Sequence, residues 1–206
     1  MPEAEEDCQT QSPLLIVISG PSGVGKDSVI RRLREKDPSL AFVVTAASRE
    51  PRPGEVHGVD YYFFPPDEFQ LRIDAGEFLE NAVVYGELKG ILKKEVQKWI
   101  DTGRDVVLRL DVQGAATIRQ KAPAALMIFL TPENDDELVA RLTARKTETP
   151  EELRVRIETA RQEMERVNEF DYRVVNREGC MEDAVDAILA IIKAEHHAVN
   201  PRKVEF

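Results

Sequence analysis

The sequence predicts an α/β fold of three layers, with helices packed on both faces of a mostly parallel central sheet. Three observations carry this expectation. Leu14–Ser19 is a continuous apolar, β-branched run, the pattern of a strand covered on both faces. Val106–Leu110 and Leu126–Leu130 also read as buried strands, and the strands alternate with helical periodicities. A Gly-rich turn follows the first run and opens directly into a helix, which is the order of a strand–turn–helix unit in a parallel sheet.

The elements follow in chain order. Residues 1–12 are acidic and polar and read as a loose tail, leaving 13–206 as a single domain. A helix from about Asp27 to Lys36 carries Val29, Ile30 and Leu33 on one face, and a second strand fits Phe42–Thr45. Residues 46–58 hold two prolines and two glycines and read as a loop. An aromatic strand at Tyr61–Phe64, a short helix near Asp67–Asp74 and a strand over Phe78–Tyr85 read as a small mixed insert, about 46–91, between core segments 13–45 and 92–200. Alternation then resumes with a helix from Lys93 to Thr102, which Gly103 is placed to end. Thr131 is placed to cap the next helix, with Pro132 at its first position. Thr149-Pro150-Glu151-Glu152 has the capping-box pattern, so another helix starts at Pro150. Tyr172–Asn176 reads as a last strand. Ala184, Val185, Ile188, Leu189, Ile191 and Ile192 form the apolar stripe of a C-terminal helix.

Composition narrows the function classes. Lys and Arg number 28 against 38 Asp and Glu, a formal net charge of −10, which speaks against a duplex nucleic-acid binder. An anionic ligand must therefore be held by a local cluster of cations and backbone N–H groups. The two cysteines, Cys8 and Cys180, make neither a disulfide scaffold nor a zinc spacing. The N-terminus is acidic, without an apolar stretch, and no run approaches membrane-spanning length. The expectation is a cytoplasmic protein that engages neither nucleic acid nor membrane, as a monomer or a homodimer.

The chemistry concentrates in Gly20-Pro21-Ser22-Gly23-Val24-Gly25-Lys26, set between a buried strand and a helix, the context a Walker A loop requires. Glycines let several N–H groups turn inward toward phosphate oxygens, and the helix N-terminus adds partial positive charge. Lys26 supplies a full charge near the phosphates, where charge shifts during transfer. Such loops normally place Ser or Thr after the lysine to hold Mg²⁺. Here Asp27 takes that position and the hydroxyl comes one residue later, at Ser28, which could reach Mg²⁺ directly or through water.

A second set of segments resembles the guanylate kinase family: Phe42-Val-Val-Thr-Ala-Ala-Ser-Arg49-Glu-Pro-Arg52-Pro-Gly-Glu55, Gly58-Val-Asp-Tyr61, Gly76-Glu-Phe-Leu-Glu80, Asp111-Val-Gln-Gly114, Arg145-Lys-Thr-Glu148 and Asp171-Tyr-Arg-Val-Val-Asn176. They occur in the family's order and span residues 14–195; in detail they are most similar to a bacterial or plastid-like branch. The resemblance implies a P-loop kinase fold with a GMP-binding insert and a helical lid at about 141–160. It also implies Mg²⁺-dependent phosphoryl transfer from ATP to GMP and dGMP, giving ADP and GDP. By position, Arg49, Arg52 and Tyr61 match residues that grip the GMP phosphate, and Thr45, Glu80 and Asp111 match those that read guanine. Arg141, Arg145 and Arg156 match the lid-side arginines, and Asn176 a contact to the adenine end of ATP. Lys26, Arg49, Arg145 and Arg156 are the implied catalytic set.

Several positions depart from the family pattern. Leu88-Lys89-Gly90-Ile91 stands where a phosphate-binding tyrosine and a base-side hydroxyl are usual, leaving Lys89 as a point charge for the phosphate. Ala47 replaces a threonine. Arg109 stands where an aspartate is usual, and its expected partner is the misplaced acid Asp27, in an ion pair that restores the local balance of charge. Two other readings compete: a P-loop kinase for another small phosphorylated substrate, and a non-catalytic protein-binding module. Glu80 and Asp111 argue against the first, and an intact Lys26 loop against the second.

Overall fold

The computed structural model describes residues 12–84, 86–144 and 149–206. Its elements are β1 (Leu15–Ser19), α1 (Lys26–Lys36), β2 (Ala41–Phe42), β3 (Ala46–Ala47), β4 (Tyr62–Phe63), α2 (Pro66–Asp74), β5 (Phe78–Val84), β6 (Glu87–Leu92), α3 (Lys93–Asp101), β7 (Val106–Arg109), α4 (Val112–Lys121), β8 (Leu126–Thr131), α5 (Asp135–Thr143), α6 (Pro150–Glu165), β9 (Tyr172–Val175) and α7 (Met181–His196), with a 3₁₀ turn over Arg166–Glu169.

The core sheet has the order β2-β7-β1-β8-β9, with every pairing parallel. Its faces divide as strand periodicity demands. Ile16 and Ile18 of β1 pack with Val29 and Leu33 of α1 and with Val185 and Ile188 of α7. Leu15 and Val17 pack on the opposite face with Val96 of α3 and Ala115 and Ile118 of α4. All five β1 residues are buried, so the continuous apolar run is explained by cover on both sides. These are the three expected layers.

The second sheet, ordered β4-β3-β6-β5, is mixed: β3 runs parallel to β4 and antiparallel to β6. It has its own small core, in which Phe69 and Phe78 stack with ring centroids 4.5 Å apart. Gly90 of β6 is required here, because a Cβ would fall 2.7 Å from the Phe78 ring and 2.8 Å from the Glu80 carbonyl oxygen.

Two local expectations are corrected. Residues 46–58 are not all loop, since Ala46–Ala47 forms β3 against Lys89 and Gly90. Thr131 does not cap a helix: it ends β8, buried, and its carbonyl accepts from Asn176 N. The cap of α5 is Asn134, whose side chain accepts from Glu137 N at 2.9 Å, with Asp135, Asp136 and Glu137 in the first turn beside the positive helix end. The capping box at Thr149 and Glu152 forms as expected, with Pro150 opening α6. Arg145, Tyr85 and the tail through residue 11, including Cys8, lie outside the described residues. Among the described residues no helix is long and apolar enough to cross a membrane.

Candidate active site

The loop after β1 curls as its glycines allow. Gly25 has φ +95°, and a Cβ there would lie 2.7 Å from the Asn176 amide nitrogen, so the loop needs both the left-handed backbone and the missing side chain. Asn176, buried just beyond β9, donates from Nδ2 to the Val24 carbonyl at 2.8 Å and braces the loop from behind. Its Oδ1 is buried without a hydrogen-bond partner. Arg141 of α5 braces the same place, donating from Nη1 to Val24 O at 3.1 Å and from Nη2 to Asn176 O at 2.8 Å, while Glu137 shares Nη2 and Glu178 accepts from Nε.

Lys26 is the first residue of α1. Its ammonium donates to the Gly20 and Pro21 carbonyls at 2.5 and 3.0 Å, folded back over the loop. Burial lowers its pKa from the ordinary value, opposed by the nearby Glu163 carboxylate. Two groups from α6 reach the loop. Arg156 donates to Ser22 Oγ from Nε at 3.2 Å and from Nη2 at 3.1 Å. Glu163 Oε2 accepts from Ser22 N at 2.9 Å, so a carboxylate takes one of the backbone N–H groups of the loop.

A cavity of about 410 Å³ joins this loop to the second sheet. Ser22, Lys26 and Glu163 line it, together with Thr45, Glu80 and Lys89 and with Arg109 and Asp111 from the end of β7. Parallel α/β sheets place ligands here, outside the carboxyl ends of the strands. Glu80 is only 6% exposed. Burial, reinforced by the Asp111 carboxylate and opposed by Lys121, pushes its carboxyl up to about 7. Asp111 caps α4, taking Gln113 N and Gly114 N at 3.0 and 2.8 Å through Oδ1, which leaves its second oxygen for a ligand. The expected pair of Asp27 and Arg109 is present, Nη1 to Oδ1 at 3.2 Å.

The expected phosphate grip lies outside the lining of this cavity. Arg49 forks onto Glu55 at 2.6 and 2.7 Å and lies over the Tyr61 and Phe63 rings. Glu55 also accepts from Arg52 N, and these contacts hold its carboxyl down to about 2. Arg49 and Tyr61 are thus together as expected, with an acid on the fork that a phosphate would take. Ser28 follows Asp27 in the first turn of α1.

Glu163 was not singled out in the sequence, where α6 reads as laced with Arg and Glu. The signal was its position. Arg156 and Glu163 are seven apart, flanking the stripe Leu153, Ile157, Ala160 and Met164 that packs on α5. Charges on the edge of a buried stripe face neighbouring elements rather than open solvent.

Comparison with known proteins gives one consistent result. The family model described as guanylate kinase matches residues 12–195. "Guanylate kinase 2, chloroplastic/mitochondrial" from Oryza sativa subsp. japonica is 53% identical over 193 residues, 93% of this chain and 68% of that protein. A guanylate kinase of Clostridium perfringens is 43% identical over 190 residues, 92% of this chain and 87% of that protein. The crystal structure of guanylate kinase from Anaplasma phagocytophilum superposes with a TM-score of 0.70 at 28% identity, covering 92% of this chain and 89% of that one.

Proposed function

Because the chain belongs to the guanylate kinase family, we propose that it transfers the terminal phosphoryl group of ATP to GMP, and to dGMP, giving ADP and GDP or dGDP. The single observation that carries this reading is the shared cavity, which is lined both by Lys26 of the phosphate loop and by the buried carboxyl of Glu80. A carboxylate accepts from the N1–H and N2 amine of guanine, an edge that adenine does not present. Glu80 reads that edge, with the second oxygen of Asp111 and Thr45 beside it.

On the donor side, the loop N–H groups and Lys26 receive the ATP phosphates. Lys26 then exchanges its two carbonyl partners for phosphate oxygens, and Glu163 gives up Ser22 N. Arg156, already on Ser22, stabilises the charge that develops on the transferring group. On the acceptor side Arg49 exchanges Glu55 for the GMP phosphate, supported by Arg52, Tyr61 and the ammonium of Lys89. Arg141 and Asn176 hold the loop at the ATP end. We read residues 46–91 as the GMP-binding insert and 141–160, which includes Arg145, as a lid that excludes water so that GMP accepts the phosphoryl group.

Mg²⁺ fits the donor set at the start of α1. It binds few protein oxygens, keeps several waters and takes the rest from phosphates, and Asp27 and Ser28 supply a carboxylate and a hydroxyl there. When bound, it neutralises charge on the β- and γ-phosphates. A net charge of −10 supports small nucleotides rather than nucleic acid as the partners. The test is ADP release with GMP, dGMP, AMP, CMP and UMP as acceptors. Release with GMP and dGMP alone is expected; equal release with AMP would overturn the guanine reading.

A further inference from the structure

We propose that Arg109 is a further catalytic residue of this transfer: its guanidinium leaves Asp27 when both nucleotides are bound and takes an oxygen of the phosphoryl group in transit. The inference rests on the kinase reading and adds a residue to it.

Arg109 ends β7 and pairs in register with Ile18 of β1, two residues before Gly20 opens the phosphate loop. Two residues after Arg109 on its own chain comes Asp111, on the guanine side of the same cavity. Arg109 thus neighbours the strand that leads into the phosphate loop, stands two residues before Asp111, and lines the cavity with Lys26 and Lys89. Its charge also acts on Lys26, lowering the ammonium pKa. Cations gathered this closely repel one another until an anion stands between them.

Arg109 is loosely held. Its ion pair with Asp27 is the only polar contact recorded for its side chain among the described residues. The two side chains are 48% and 79% exposed. Exposed pairs of this kind contribute little and are readily exchanged. Arg141, with four acceptors around the loop, shows what a structural arginine looks like in the same neighbourhood.

A pure counter-ion role for Arg109 would require an acid that needs neutralising. Asp27 is mostly solvated and sits in the first turn of α1, where the helix end already favours a negative charge. The need for Arg109 is better met by phosphate. In the transfer, the bond from the γ-phosphorus to the ADP oxygen breaks as the bond to the GMP phosphate oxygen forms. Arg109 stays protonated throughout, exchanges no proton, and contributes charge and hydrogen bonds to the equatorial oxygens.

The experiment compares Arg109→Ala, Arg109→Lys and the double variant Asp27→Ser/Arg109→Ala, by steady-state kinetics with saturating ATP, Mg²⁺ and GMP and by separate binding titrations. Arg109→Ala is expected to lower kcat about a hundredfold with both KM values within about threefold, the split made by a contact that forms in the transition state. Arg109→Lys keeps the charge without the fork and gives an intermediate kcat, and it is the variant to read if the alanine form fails to fold. The double variant, which restores an ordinary hydroxyl and removes the acid, stays as slow as Arg109→Ala. Recovery of the double variant to near wild-type kcat would make Arg109 a counter-ion only and overturn the proposal, as would a kcat loss under tenfold in Arg109→Ala.

Discussion

Glu80 ties guanine recognition to pH. Its carboxyl titrates at about 7 rather than the ordinary 4.5, through burial first and the Asp111 charge second. Only the carboxylate accepts both guanine donors, so the form competent to bind GMP is about a tenth of the protein at pH 6 and about nine-tenths at pH 8. KM for GMP should therefore fall about tenfold from pH 6 to pH 8, beyond any change in KM for ATP. The GMP phosphate titrates in the same range, so the control is Glu80→Gln, whose remaining pH dependence belongs to the substrate. Stability moves the opposite way. Glu80 titrates higher folded than unfolded, so the stability it confers when neutral is full below pH 4.5 and is lost as pH rises through about 7. The loss at pH 8 is at most on the order of 3 kcal/mol, and the amide, neutral at every pH, avoids it. Glu80→Gln should thus unfold at a higher temperature than wild type at pH 8 while binding GMP more weakly. Steady-state kinetics and thermal unfolding over pH 5.5–8.5 read both. Parallel KM profiles for wild type and Glu80→Gln, together with an unchanged melting temperature, would refute the reasoning.

Two further predictions follow from contacts on α6. Glu163→Gln weakens the hold on Ser22 N, a bond the ATP phosphates must displace, and should tighten ATP binding about three- to tenfold in calorimetric titration; weaker binding would mean that Glu163 supports the nucleotide rather than competing with it. Thr149→Ala removes the hydroxyl that accepts from Glu152 N while keeping the backbone N–H that donates to the Glu152 carboxylate, and should cost about 1 kcal/mol, a fall of about 2–4 °C in melting temperature; an unchanged midpoint would show that α6 does not depend on its cap.

The core was legible because burial on both faces leaves a signature in single segments: β1 and β8 read as long apolar runs, and β7 as a shorter one that stops at Arg109. The phosphate loop was legible because its glycines and lysine must sit between such a run and a helix. β3 was not, since two alanines among prolines and glycines carry no period, and only pairing with β6 makes them a strand. Thr131 was misread as a cap because its pairing with Val175 depends on β9, more than 40 residues away in sequence. The Asp27–Arg109 pair could be anticipated, because Arg109 ends the strand beside β1 and Asp27, the charge of opposite sign, opens the helix that follows β1. Glu163 could be placed beside the buried stripe of α6 by its spacing but not on the phosphate loop, because its partner Ser22 is 141 residues distant.

The central claim is that one cavity holds both substrates, with Lys26 acting on the phosphoryl group and not on GMP. Lys26→Ala tests it most directly, with turnover measured beside a GMP binding titration. The account predicts a folded protein whose GMP affinity stays within about threefold of wild type while kcat falls at least about a hundredfold. A folded variant that keeps its turnover would contradict it, as would one that loses GMP binding in step with turnover.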